Sequence, residues 1–320
     1  MYKLLILFLF YLLFTLLLPF QACKRNTKVI IDTIQNRSTP TSGELTFYVD
    51  ESFKPLISAT EIVFENTYRD AKLNINYSNE KDVINALLNR ESPISITARK
   101  LKPEELKIFN ERGFELQQLY FANDAIAFVI NSSNPDSLLK FSEIKNILSG
   151  SITSWNKISN SSIGDIRIIF DKNNSSAASF ILDSITHQDK LPSNCYAASS
   201  NDSVLSYVRK NKNSIGVIAL NWVSDYEDPN VIKSLEGLKV ISISSKTDSL
   251  KYYKPLADNI AINKYPFRRY IYIINIEGRS GLGTGFASYL ASDIGQTIIR
   301  QFELLPLNDP IRIVELKNKY

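Results

Sequence analysis

From residue 44 onward the chain alternates short apolar runs with segments of helical period, and that alternation leaves few architectures open. Residues 44–49 (ELTFYV) read as a strand. Residues 55–68 read as a helix, with Leu56, Ala59, Ile62, Val63 and Phe64 at helical spacing. Strands at 73–77 and 94–98 bracket a helix at 82–89. Lys102-Pro103-Glu104-Glu105 opens another helix, because proline suits the first turn and acids there suit the helix dipole. Strands at 116–121 and 125–131 flank Ala122-Asn123-Asp124. The second part repeats the scheme. Helices are expected at 142–148, 176–185 and 203–210, and strands at 166–170, 215–220, 238–244 and 269–276. A helical stretch at 281–302 closes the series. Strand–helix–strand repetition predicts an α/β fold in two units, the second starting near Ala125. The 320 residues agree, at roughly 150 residues per domain.

Composition narrows the function classes. With 44% hydrophobic and 22% charged residues the chain has ordinary globular composition, so a wholly disordered chain or a coiled-coil rod is excluded. A net charge of +4 is too weak to suggest nucleic acid as a partner. The single histidine, His187, argues against a multi-histidine metal site and against a Ser/His/Asp triad. It falls at a helix end, where imidazolium is favoured without any catalytic role. Gly281-Leu282-Gly283-Thr284-Gly285 lacks the Lys-Ser/Thr tail of a P-loop and the last glycine of a dinucleotide fingerprint. No Gly-x-Ser-x-Gly elbow is present. A binding protein is therefore expected rather than an enzyme, with no catalytic residue, cofactor or metal.

The first residues carry an address. Lys3 precedes an apolar run from Leu4 to Phe20, which closes on Gln21-Ala22-Cys23. Charged start, apolar core and small residue before a cut make a secretory signal over residues 1–22. A cysteine at the cut resembles a bacterial lipoprotein signal, so Cys23 is expected to be lipidated and to anchor the chain at a membrane. Phe20 and Gln21 depart from the usual Leu and small residue before the cut. An uncleaved anchor and a plain secreted protein are the competing readings; the run is about 17 residues, short for a spanning helix. With Cys23 acylated, Cys195 stays as a small semi-buried residue, and no internal disulfide can form. Residues 23–43 read as the lipidated cysteine and a polar tether ending at Pro40, Ser42 and Gly43.

Three segments share one layout of strand, short polar turn and helix. They are Val49-Asp50-Glu51-Ser52-Phe53, then Thr97-Ala98-Arg99-Lys100, then Asp171-Lys172-Asn173-Asn174-Ser175-Ser176. Ligands of open α/β sheets sit beyond the carboxyl ends of strands, where helix N-termini offer free N–H groups to anions. Ser, Asp and Asn are also the commonest N-caps, so each turn alone reads first as capping, and it is the three together that point to a ligand. Trp155 and Trp222 are expected in the core.

Several separated stretches resemble the periplasmic phosphate-binding family, the substrate-binding subunits of phosphate ABC transporters. They are Ser52-Phe53-Lys54-Pro55, Ala98-Arg99-Lys100-Leu101-Lys102-Pro103-Glu104, Asn131 to Pro135 and then Ile147 to Trp155-Asn156. They continue with Asn213-Ser214-Ile215-Gly216-Val217, Tyr265-Pro266-Phe267-Arg268-Arg269, Gly295-Gln296 and Leu305-Pro306-Leu307. The resemblance covers about residues 44–310. It implies a two-lobed periplasmic-binding-protein fold of type II-like form with two hinge crossovers, near Asn123-Asp124 and at 256–259. Lobe one would be 44–123 plus 257–320, and lobe two 124–256. It implies capture of an oxyanion, inorganic phosphate first, for an ABC transporter permease, by a monomer facing the periplasm of a bacterial envelope. The ligand residues so implied are Ser52, Phe53, Thr97, Ala98, Arg99, Asn174, Ser175 and Ser176.

The chain departs from the family at three places. The Ser-Gly-Thr ligand loop reads Asn174-Ser175-Ser176, an arginine four residues before it falls on Phe170, and the serine of Ser-Arg is Ala98. Losing an arginine removes a bidentate partner for phosphate. Arg99 stands either as a replacement charge or as a surface arginine. The departures leave a second function open: an envelope lipoprotein with a signalling or protein-partner role and a degenerate anion site.

Overall fold

A computed structural model describes residues 38–113, 115–159, 162–224 and 229–307. The signal and Cys23 expectations, and the tether up to residue 37, lie outside these residues. The last tether residues are docked. Thr39 and Ser42 close a turn, and Arg279 Nη1 donates to the Ser38 carbonyl at 2.9 Å. Among the described residues no helix is long and apolar enough to cross a membrane.

One half of the main sheet is parallel. Strand β1 (Gly43–Asp50) pairs with β2 (Ala71–Ser78) and β3 (Ile94–Thr97), and the crossovers are helices α1 (Lys54–Thr67) and α2 (Glu80–Leu88). Helix α3 (Pro103–Glu111) then leads to β4 (Gln117–Asn131), the longest strand. Beyond it, β5 (Leu138–Leu139) and α4 (Phe141–Leu148) precede β6 (Arg167–Phe170) and α5 (Ser176–Phe180). Strand β7 (Cys195–Ala197), α6 (Asn201–Lys210) and β8 (Ser214–Ala219) complete the second parallel set, with β6 between β7 and β8. Helix α7 (Pro229–Leu235) is followed by β9 (Leu238–Val240), β10 (Ser242–Ser244) and β11 (Tyr252–Tyr253). Helix α8 (Ala257–Ala261) leads into β12 (Arg268–Asn275), and α9 (Leu282–Ala291), α10 (Asp293–Gln301) and β13 (Leu305–Pro306) follow.

The sheet runs β2-β1-β3-β12-β4-β8-β6-β7. Strand β4 belongs to both halves. Its residues Gln117 to Ala125 pair with antiparallel β12, and Ile126 to Ile130 pair with β8. The expected break at Ala122-Asn123-Asp124 is absent, and one strand stands where two were expected. The polar pair is accommodated because Asp124 lies directly opposite Arg269 of β12, and Asn123 opposite Leu305 of β13. An opposite charge across the ladder removes the cost of burying either charge unpaired.

Three other elements differ from expectation for local reasons. The 281–302 stretch is two helices, because Ser292 is extended (φ −75°, ψ 166°) and its side chain caps α10 at the Gly295 N–H. The 238–244 strand is two: β9 joins β4 and β10 joins β5 and β11 in a separate three-stranded sheet. The 176–185 helix continues past α5 as a π turn at Ile181–Thr186. It ends at His187 in the left-handed region (φ 56°), whose Nδ1 donates to the Asp183 carbonyl at 2.9 Å.

The family-like motifs are mostly structural joints. Trp155 is fully buried and its indole N–H donates to the Asn213 carbonyl at 3.0 Å, tying two of those stretches together. Gln296 is buried in α10. Its amide donates to the Phe121 and Leu290 carbonyls, and its Oε1 accepts from the Leu307 N–H. Phe64 of α1 meets Phe286 and Tyr289 of α9 edge-on, at 5.3 and 5.1 Å between ring centres. Gly295 lets α10 turn tightly off α9: a Cβ there would lie 2.3 Å from the Tyr289 carbonyl oxygen and 2.7 Å from that of Leu290. Both are backbone atoms and cannot swing aside. Gly295→Ala is therefore expected to destabilise the fold by about 1–3 kcal/mol, read as a lower urea midpoint at unchanged denaturant slope; an unchanged midpoint would refute the close approach.

Candidate functional site

The carboxyl ends of β1, β3 and β6 carry the three turns singled out above, and two of them touch. Asp50 ends β1 and caps a 3-10 turn at Glu51–Phe53, accepting from the Ser52 N–H at 2.9 Å. Ser175 caps α5, accepting from the Ala178 N–H at 3.3 Å, and Ser176 is the first helical residue. Ser52 Oγ and Ser176 Oγ lie 2.9 Å apart, and both residues are about 1% exposed. Two capped helix starts, one from each half of the sheet, therefore meet across a hydroxyl pair.

Further contacts hold these turns together. Lys172 pairs with Glu51 at 2.9 Å, and Asn174 Nδ2 donates to Asn79 Oδ1 at 3.2 Å. The Ser52 carbonyl accepts from Asn221 Nδ2 and from Trp222 Nε1, each at 2.9 Å. Trp222, expected as core, thus has its polar edge on the backbone of the Ser52 turn.

The third turn stands differently. Thr97 is fully buried at the end of β3, and its hydroxyl donates to the Arg99 carbonyl at 2.7 Å. Ala98 is half-buried and presents no polar side chain. Arg99 is held by carboxylates: Nε donates to Glu80 at 3.2 Å, while Nη1 and Nη2 take Glu105 at 2.8 and 2.9 Å. A guanidinium bound in this bidentate way has few donors left for a ligand.

A buried cation, Arg269 on β12, reaches one of the two serines. It is 3% exposed, donates from Nη1 to Ser176 Oγ at 2.9 Å and from Nε to Asp124 Oδ2 at 2.8 Å. Its guanidinium carbon lies 5.0 Å from the centre of the Phe53 ring, a cation–π distance. Phe53 therefore orients the arginine. Arg269 Nη2, Asp50 Oδ2, Asp124 Oδ1, Asp171 Oδ1 and Asn221 Oδ1 are buried without a hydrogen-bond partner among the described residues.

Burial sets the electrostatics. Desolvation raises Asp50 and Asp124 above the ordinary carboxyl range, although Arg269 attracts both in the opposite direction. Burial lifts Asp171 to about 6. Burial and then repulsion from Asp50 lift Glu80 to about 7, against the pull of Arg99. Burial thus biases Asp171 and Glu80 toward their neutral form, while Asp124 is the ion-pair partner of the buried Arg269. Among the described residues no group of three or more His, Cys, Asp or Glu is placed to hold a metal.

Arg269 and Asp124 were not assigned to the site from sequence, where Arg269 figured in a Tyr-Pro-x-x-Arg stretch and Asp124 as a hinge. The available signal was a charge beside the apolar run of each of two strands, since unpaired burial of either is prohibitive.

The chain is similar to phosphate-binding proteins. It is 24% identical over 221 residues to the phosphate-binding protein PstS of Staphylococcus epidermidis, covering 68% of this chain. The match spans 64% of that relative's length. Among solved structures, a substrate-binding protein of Clostridium perfringens with bound phosphate superposes with a TM-score of 0.70 at 20% identity, over 83% of this chain and 100% of that one. An ABC-type phosphate transport receptor of Vibrio cholerae superposes at 0.61 and 19% identity, over 82% and 100%. At these identities the structures establish the fold, the two-lobed periplasmic-binding architecture. A family model described as the PBP superfamily domain matches residues 35–293, most of the chain, and the chain belongs to that family.

Proposed function

We propose that the chain is an extracytoplasmic solute-binding protein that captures inorganic phosphate between its two lobes and passes it to an ABC transporter permease. The observation that carries this reading is the buried Ser52–Ser176–Arg269 cluster at the meeting of two helix starts, with Arg269 Nη2 unpartnered beside it. Hydroxyls, helix N–H groups and a guanidinium are the donors that a desolvated oxyanion needs. No bond is made or broken in such capture, and no cofactor enters.

The departures from the family loop fit this reading. Arg269 supplies the charge that Phe170 cannot, and Arg99, tied to Glu80 and Glu105, shapes the rim. Ser52, Phe53, Asn174, Ser175 and Ser176 form the ligand shell with Thr97 and Ala98 at its edge. Asp50 adds selectivity: its neutral form donates to any oxyanion, and its ionised form accepts from the hydroxyl of hydrogen phosphate. Sulfate, which carries no proton at neutral pH, can use only the first. The relatives named for phosphate binding support this choice of ligand. A lipidated Cys23, a tether from there to residue 43, lobes at 44–123 plus 257–320 and at 124–256, and a monomeric working state complete the proposal.

Calorimetric titration of the ligand-stripped full chain tests it. Phosphate is expected to bind saturably in the micromolar range or tighter, and ahead of sulfate. Ser52→Ala with Ser176→Ala is expected to weaken phosphate by about tenfold or more, since a hydrogen bond to a charged group contributes about 1.5–3 kcal/mol. Silence from a folded sample toward phosphate, sulfate and a phosphate ester would remove transport as the function.

The buried carboxyls also give the ligand-free protein a pH signature. Glu80, near 7 in the fold against an ordinary 4.5, and Asp171, near 6 against 3.8, hold protons more tightly folded than unfolded. Their contribution to stability is then full below about 4, is lost as pH rises from 4.5 to about 7 for Glu80 and from 3.8 to about 6 for Asp171, and changes no further above. The slope is at most about 1.4 kcal/mol per pH unit for each group. In phosphate-free buffer the thermal midpoint is expected to be higher at pH 5.5 than at pH 8, and Glu80→Gln should flatten the difference. A midpoint that rises with pH would contradict the burial of both groups.

A further inference from the structure

Beside the buried cluster the surface opens into a cavity of about 660 Å³. Its floor is β12, one wall is the turn after β3, and the other is the helical segment that begins at Ser176. Of fourteen lining residues, five are cationic (Arg99, Lys100, Lys246, Arg268 and Arg269) and none is a carboxylate. Arg99 and Arg269 are compensated by their carboxylate partners. Lys100, Lys246 and Arg268 make no ion pair among the described residues. The two lysines instead lie over aromatic rings, Lys100 at 5.7 Å from the centre of Tyr272 and Lys246 at 5.2 Å from that of Phe141.

Three uncompensated cations around one concavity are more than a single phosphate in the buried cluster requires, and the cavity is the size of a small-molecule site rather than of one tetrahedral ion. Arg269 connects the two places. It lines the cavity while its Nη1 holds Ser176 Oγ. A ligand reaching from the cluster into the cavity would carry its negative charge from Arg269 outward to Lys100, Lys246 and Arg268.

We infer that this cavity is a second phosphoryl site, so that the chain takes ligands with two linked phosphoryl groups, one in the buried cluster and one against Lys100, Lys246 and Arg268. The inference rests on the oxyanion reading of the buried cluster. The shared chemistry is a diphosphate, supplied either as inorganic pyrophosphate or as the end of an organic molecule. Charge without geometry would only speed the encounter with single phosphate ions, and the test separates that case.

The full chain, stripped of ligand, is titrated with phosphate, pyrophosphate and adenosine diphosphate. Pyrophosphate is expected to bind at least about tenfold tighter than phosphate, by the added charge-assisted contacts. Lys100→Gln with Lys246→Gln should remove about that factor from pyrophosphate and change phosphate affinity by less than about threefold. Adenosine diphosphate affinity equal to that of pyrophosphate identifies an organic source; a preference for pyrophosphate identifies the inorganic one. Phosphate binding with no preference for pyrophosphate overturns the second site and leaves the proposed function standing. A double variant that slows phosphate association and changes nothing else overturns the second site as well. Pyrophosphate binding without phosphate binding keeps the second site and removes phosphate as the ligand. Silence toward both removes both.

Discussion

The ion pair between Arg269 and Asp124 is the contact on which the rest of the arrangement depends. Its side chains are 2% and 0% exposed, and it spans two adjacent strands in register. Removing one partner of such a pair typically costs about 3–5 kcal/mol, because the other is left buried and charged. The pair therefore keeps β12 and β4 aligned at the point where β4 passes from one half of the sheet to the other. The same guanidinium then reaches Ser176, so the alignment of the sheet and the aim of the donor toward the serines are set by one side chain.

That economy explains how a chain lacking the expected arginine before its α5 turn can still present a cation there. Phe170 fills the position with an apolar ring, fully buried in the second half. The charge arrives from the opposite direction, on the shared strand pair, oriented by the Phe53 ring and by Asp124. A cation delivered by the crossing strands is held by both halves at once. Contacts at Ser52, Glu51 and Asn79 then draw the second half onto the first. Asn221 and Trp222 add a second grip on the Ser52 carbonyl.

The buried carboxyl groups temper this arrangement. Burial raises the proton affinities of Asp50, Asp171 and Glu80, and Asp124 is balanced by its ion pair with Arg269, which limits the negative charge at this point of the fold. Outside, the unpaired cations of the cavity give the opposite field.

Much of the architecture was legible in the linear chain, because short apolar runs and helical spacing act locally. Strands near 44–49, 73–77 and 94–98, and the turns bearing Ser52 and Ser176, follow from residues a few places apart. The continuity of β4 through Asn123-Asp124 did not. It depends on a partner distant in sequence, Arg269 lying 145 residues from Asp124. A carboxylate in an apolar strand reads as a break until its counter-charge is placed opposite. Composition and periodicity by themselves determined an α/β chain without the makings of a triad. Only the tertiary structure decided which arginine faces the serines, because pairing across a sheet is a property of register, and register is set by the whole core rather than by any one segment.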